Sequence, residues 1–125
     1  MGENEISGII VGAAIEVHKE IGPGLLESIY HTCLKRELTN RGIEFESEVP
    51  VFAKYKGVIL EDAYRLDLLV ENMVIIELKT LERFENKHTA QLLTYLRLSD
   101  KKLGLLIDFN EATLKDGLKR VVNNL

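Results

Sequence analysis

The sequence has a single cysteine, no long apolar run and no excess of basic residues. One cysteine, Cys33, excludes an internal disulfide and fits a reducing compartment, so the cytoplasm is the expected location. No apolar stretch approaches the roughly 20 residues that a membrane-spanning helix needs. Met1 to Ser7 is acidic and polar, unlike the basic-then-apolar start of a secretory signal. His18, His31 and His88 are scattered, and no cysteine stands at metal-binding spacing from them, which argues against a zinc site. Lys and Arg number 16 against 20 Asp and Glu, a net charge of −4. A protein that holds nucleic acid by charge alone needs a basic excess to displace counterions from phosphates. Any work on DNA or RNA would therefore need a local basic patch and a metal to offset the carboxylates.

What is present is the composition of one ordinary globular unit: 125 residues, 46% hydrophobic and 29% charged. Residues 1–125 are expected to form one domain, without repeats or linkers. Residues 4 to 20 read as an amphipathic helix through Ile6, Ile9, Ile10, Ala13, Ala14 and Val17. Gly22-Pro23-Gly24 breaks the chain. A second helix is expected from Leu25 to Asn40, with Leu26, Ile29, Tyr30, Cys33, Leu34 and Leu38 on its apolar side and Arg41-Gly42 as its stop. Strands are expected over Phe45–Tyr55, Val58–Val70 and Val74–Lys79, with Pro50 marking an edge or a bulge. A helix over Asn86–Leu98 and a strand over Leu103–Phe109 follow. Thr113–Val122 is ambiguous between helix and strand, with Gly117 weakening either. The order is that of a mixed α/β fold.

The third strand carries the chemistry. Alternation places Val74, Ile76 and Leu78 on one face and Ile75, Glu77 and Lys79 on the other. In the preceding strand it groups Leu66, Leu68 and Val70 against Arg65, Asp67 and Leu69. A two-residue turn would put Asp67 on the wrong face relative to Glu77. A three-residue loop, Glu71 to Met73, sets Val70 opposite Val74 and Asp67 opposite Glu77. Directly opposed residues have Cβ atoms about 4.5–5.5 Å apart. Two carboxylates that close repel unless one is protonated or both share a cation. Mg²⁺ suits such a pair, because it prefers oxygen ligands and keeps water and substrate phosphate in its shell. Lys79, on the same side, would orient a water or stabilise charge on a phosphoryl oxygen. The plainer alternative is a cross-strand ion-pair cluster on a solvated face.

Two more segments bear on that choice. Gly24-Leu25-Leu26-Glu27-Ser28-Ile29-Tyr30 places the charged Glu27 among apolar residues, which also suits a helix N-terminus. In Ala90-Gln91-Leu92-Leu93-Thr94-Tyr95, Gln91 and Tyr95 share a helix face. With Arg65-Leu66-Asp67 and Glu77-Leu78-Lys79, these segments resemble the PD-(D/E)XK nuclease superfamily, and more closely its GxxExxY branch, over about Ala14 to Val122. The resemblance implies a restriction-endonuclease-like fold, a central mixed β-sheet flanked by helices. It implies Asp67 and Glu77 as ligands of Mg²⁺ or Mn²⁺, Lys79 as the catalytic lysine and Glu27 as an added acidic residue. Gln91 and Tyr95 match the Gln-x-x-x-Tyr motif of RecB-like exonucleases, which positions the lysine and the nucleic acid. There are departures: Leu66 precedes Asp67 where the superfamily usually has proline, and Asp108 precedes Phe109 where the branch has asparagine. The expected function is a metal-dependent nuclease acting on DNA, with a homodimer as the expected assembly; the alternative is a nuclease-fold binding or assembly module that needs a partner.

Overall fold

The computed structural model describes residues 1–125. Helix α1 (Glu3–Ile21) and helix α2 (Glu27–Asn40) are followed by strands β1 (Phe45–Tyr55), β2 (Val58–Val70) and β3 (Val74–Lys79). Helix α3 (Asn86–Ser99), strand β4 (Leu103–Asp108), a 3₁₀ turn (Leu114–Gly117) and strand β5 (Leu118–Val122) complete the order. The strands form one sheet in the order β1-β2-β3-β4-β5, parallel between β3 and β4 and antiparallel elsewhere. The ambiguous tail is thus both things in turn, a 3₁₀ turn and then an edge strand.

Two apolar layers explain the arrangement. Ile6, Ile10, Ala13, Ala14 and Val17 of α1 join Tyr30, Leu34 and Leu38 of α2 against Leu68, Val70, Val74, Ile76, Leu78, Leu105 and Ile107 of the sheet. On the other face, Leu92 and Leu96 of α3 cover Val51, Leu66, Leu69, Ile75, Leu106 and Val121. Because helices lie on both faces, β4 is buried along its whole length and β3 up to Leu78. That is the usual condition of parallel strands joined through a crossover helix.

Three local expectations are corrected. The second helix starts at Glu27, and Leu25 and Leu26 lie outside it, exposed. Ile29 is also exposed, so the buried side of α2 is Tyr30, Leu34 and Leu38. Leu66 does not share a face with Leu68 and Val70; it packs beneath α3. The alternation of β2 therefore breaks at Asp67. Opposite that position on β1, Glu48 has a left-handed backbone, φ 53°, a conformation non-glycine residues rarely adopt.

Candidate active site

The expected loop of three residues, Glu71 to Met73, is present and pairs Val70 with Val74, Leu69 with Ile75 and Leu68 with Ile76. Backbone pairing then stops. One step further, the Asp67 N–H donates to Oε2 of Glu77 at 3.0 Å, and the Leu78 N–H donates to Oδ2 of Asp67 at 2.7 Å. The two carboxylates replace the carbonyls that the ladder would have supplied. The strands can splay there without leaving buried N–H groups unpaired. That opening, with the end of parallel strands β3 and β4 beside it, is where α/β sheets commonly take ligands.

Glu77 is 1% exposed, and its Oε1 is buried with no hydrogen-bond partner. Burial first, and the Asp67 charge second, push its carboxyl up to about 8, against the opposing pull of the Asp67 N–H and Lys79. The folded state therefore keeps a proton that the unfolded chain has lost. The stability this gives is full below about pH 4.5 and disappears as the pH rises through about 8. Metal-free protein is expected to melt at a lower temperature near pH 8 than near pH 5, and Glu77→Gln to remove much of that slope. Thermal melts at both pH values, on both proteins, check this.

Glu27 arrives from the other direction. It is the first residue of α2, and with Ser28, His31, Asp67 and Leu78 it lines a small cleft of about 190 Å³. Lost hydration first, and the Asp67 charge second, hold its carboxyl above the usual range, while Lys79 and His31 pull it down. His31, one turn along, donates from Nε2 to the Asp67 carbonyl at 3.2 Å. The placement of α2 depends on Tyr30. Its hydroxyl donates to the Gly22 carbonyl at 2.7 Å and accepts from the Leu25 N–H at 3.0 Å, and its ring stacks on Phe109 at 4.6 Å. Between those two anchors Gly24 has φ 99°, a conformation open to glycine. The Gly-x-x-Glu-x-x-Tyr segment is thus a stapled loop that delivers Glu27. Tyr30→Phe strips both partners and is expected to cost about 1–3 kcal/mol, measured by urea unfolding.

On the α3 side, Tyr95 stacks on Tyr64 with ring centroids 4.1 Å apart and 10° between planes. Burial, and then the Glu77 charge, raise the hydroxyl pKa of both. Gln91, one turn before Tyr95, is exposed and lies outside the hydrogen bonds that hold the carboxylates. Lys79 is half-buried at the end of β3, paired in register with Asp108. Asp108 is fully buried. Its Oδ1 accepts from the N–H groups of Leu81 at 3.1 Å and Asn110 at 2.9 Å, which pins the loop leaving Lys79.

The structure thus gathers Asp67, Glu77, Lys79, Glu27 and Tyr95 around the splayed strand ends and leaves Gln91 at the margin. It adds Tyr64 and His31. Tyr64 carries no signal in sequence beyond lying three residues before Asp67; His31 shares a helix face with Glu27. His88 is accounted for as the cap of α3, where Nδ1 accepts from the Glu85 N–H at 2.9 Å. His18 bonds the Glu111 carbonyl instead.

No group of three His, Cys, Asp or Glu side chains is placed to hold a metal by itself. Two carboxylates do suit Mg²⁺ or Mn²⁺, which complete their shells with water and substrate phosphate. With Asp67 Oδ2 and Glu77 Oε2 occupied by backbone N–H groups, Asp67 Oδ1 and the unpartnered Glu77 Oε1 remain as oxygen donors. The donor set fits a hard cation.

The family model described as PD-(D/E)XK nuclease superfamily matches residues 4–121. The chain belongs to that superfamily. PD-(D/E)XK nucleases typically use divalent metals, in keeping with the oxygen donors above. The five-stranded mixed sheet with flanking helices is the restriction-endonuclease-like form expected of a PD-(D/E)XK member. A solved structure titled "Crystal structure of SSO0001" is similar at a TM-score of 0.61 and 23% identity, over 79% of this chain and 51% of that one. At that identity the likeness concerns the fold, and the chain spans about half the length of that protein. No curated protein matches. No helix of this PD-(D/E)XK chain is long and apolar enough to cross a membrane.

Proposed function

We propose that this chain is a metal-dependent nuclease of the GxxExxY branch, one domain over residues 1–125, that hydrolyses phosphodiester bonds in DNA in the cytoplasm. The observation that carries this reading is the buried Glu77 carboxylate where β2 and β3 part, with Oε2 on the Asp67 N–H and Oε1 left without a partner. A carboxylate oxygen without a partner in the interior is costly unless something occupies it. Asp67 and Glu77 would hold Mg²⁺ or Mn²⁺, which supplies a more acidic bound water and neutralises charge on a phosphoryl oxygen.

The remaining work belongs to the chain. Lys79 stabilises the charge that grows on the phosphoryl oxygens as water forms the new P–O bond and the bond to the sugar oxygen breaks. Glu27 brings a third carboxylate to the mouth of the cleft, with His31 fixing the Asp67 backbone beneath it. Tyr95 and Gln91 present the α3 side to the nucleic acid. Arg83 and Lys87, in the stretch that follows Lys79, line an open polar hollow and form a rim for phosphates, although Glu82 and Glu85 share it. The cleft is small and open, which suits a polymer lying across it rather than an enclosed small molecule.

A Mn²⁺ titration followed by calorimetry tests the site directly. The wild type is expected to bind, and Glu77→Gln and Asp67→Asn to lose binding; equal binding by all three would remove the site. A second reading, a nuclease-fold binding module completed by a partner, is favoured by the net charge of −4. It predicts metal binding without cleavage by the chain alone.

A further inference from the structure

Asp108 carries more than its loop requires. Oδ1 alone accepts from the Leu81 and Asn110 N–H groups, and an asparagine carbonyl would do the same. The side chain is wholly buried, yet Oδ2 has no hydrogen-bond partner. Asp108 Oδ2 and Glu77 Oε1 are the two buried side-chain atoms left in that condition. An unpaired carboxylate oxygen in the interior is costly, and buried carboxylates persist where a cation meets them.

The sheet register names the cation. β3 and β4 run parallel, with Lys79 directly beside Asp108. Leu106 packs beneath α3 while Leu105 and Ile107 pack on the opposite face, so alternation turns Asp108 to the α3 side. Ile75 packs beneath α3 as well, which sets the same side for Glu77 and Lys79. Neighbouring strands lie about 4.8 Å apart, a gap that the flexible four-carbon stem of lysine spans. Lys119 shares that side, but it is exposed and its ammonium lies over the Phe84 ring at 5.7 Å. Glu77 and Glu27 compete for the Lys79 ammonium. Burial raises both of their carboxyl pKa values and the Lys79 charge opposes that rise, so the lysine is within electrostatic reach of both. A divalent cation held by Asp67 and Glu77 would cancel this attraction and repel the ammonium. Asp108 is then the unoccupied carboxylate beside it.

We infer that Asp108 is a positioning residue for Lys79, whose ammonium docks on Asp108 Oδ2 once the carboxylate pair holds its metal. The inference rests on the metal-dependent reading of this site. Docked there, the ammonium faces the phosphoryl group from a fixed point, which is what preorganised stabilisation of charge requires.

Magnetic resonance of the full chain carrying isotopically labelled lysine, in Mg²⁺ and in chelator, reads the contact without substrate. A lysine ammonium held on a carboxylate exchanges slowly enough to give its own signal, and Lys79→Arg assigns it. The wild type is expected to show that signal in Mg²⁺. Asp108→Asn, which keeps the Oδ1 contacts, is expected to lose it while melting as the wild type does. In cleavage, Asp108→Asn should lower kcat about tenfold with KM unchanged, and should cost nothing further in a Lys79→Ala background. A wild type that binds Mg²⁺ without the Lys79 signal overturns the inference, as does a signal that survives Asp108→Asn. Equal losses of kcat in both backgrounds would overturn it in favour of a purely structural role. Weaker Mg²⁺ binding by Asp108→Asn would overturn it by making Oδ2 a metal ligand. A wild type that binds no Mg²⁺ in calorimetry fails the metal-dependent reading itself and removes this inference with it.

Discussion

Lys79→Ala is expected to slow phosphodiester cleavage by about 10²–10³-fold, the usual cost of removing one preorganised donor from a transition state. Melting temperature and Mn²⁺ binding should change little. Lys79 is half-buried at the end of β3 and makes no ion pair within bonding distance, so its removal breaks no direct salt bridge. The carboxylates are held by backbone N–H groups of Asp67 and Leu78, not by the lysine. Single-turnover rates at saturating substrate, set beside a Mn²⁺ titration of the same variant, separate the two effects. Lost metal binding in Lys79→Ala would show that the lysine organises the carboxylates instead of acting on the phosphoryl group.

Gly117→Ala is expected to destabilise the protein by about 3 kcal/mol or more, at or beyond the usual range for overpacking. A Cβ at Gly117 would run into the carbonyl oxygen of Asp108, which is backbone and cannot rotate away. The 3₁₀ turn would have to pull back from the end of β4. Phe109, which stacks on Tyr30, and the Asp108 carboxylate, which pins the loop after Lys79, would move with it. Denaturant unfolding checks the stability. The same variant should lose cleavage at temperatures where it is still folded, because the disturbed segment supports both Lys79 and the Tyr30 staple. A change within about 0.5 kcal/mol, the usual size of an exposed substitution, would mean that the close approach has slack.

The hairpin that brings Asp67 opposite Glu77 was legible because two apolar sets and a three-residue loop admit one register. Val70 does face Val74. The strand limits of β1 and β2 were legible for a similar reason: the two turns contain Gly57 and Asn72, residues that tolerate positive φ, and both adopt it, at 84° and 56°. The side of Leu66 was not legible. Alternation assumes an unbroken ladder, and here the side chains of Asp67 and Glu77 take over the hydrogen bonds and break it. Leu25 and Leu26 look like the start of an amphipathic helix, yet the Tyr30 hydroxyl claims the Leu25 N–H for the preceding loop. That contact spans the loop and leaves no trace in periodicity. The position of β5 at the sheet edge and the stacking of Tyr64 on Tyr95 depend on long-range packing, which no local spacing encodes.

The central claim, that Asp67, Glu77 and Lys79 make a metal-dependent cutting site, is tested most directly by cleavage itself. Labelled single- and double-stranded DNA and RNA would be incubated with the wild type and with Glu77→Gln, purified in parallel, in Mg²⁺, in Mn²⁺ and in chelator. The account predicts that the wild type cuts DNA only with metal and that Glu77→Gln cuts nothing. Equal cutting by both proteins would assign the activity to a contaminant or another site. No cutting and no metal binding by the wild type would contradict the account.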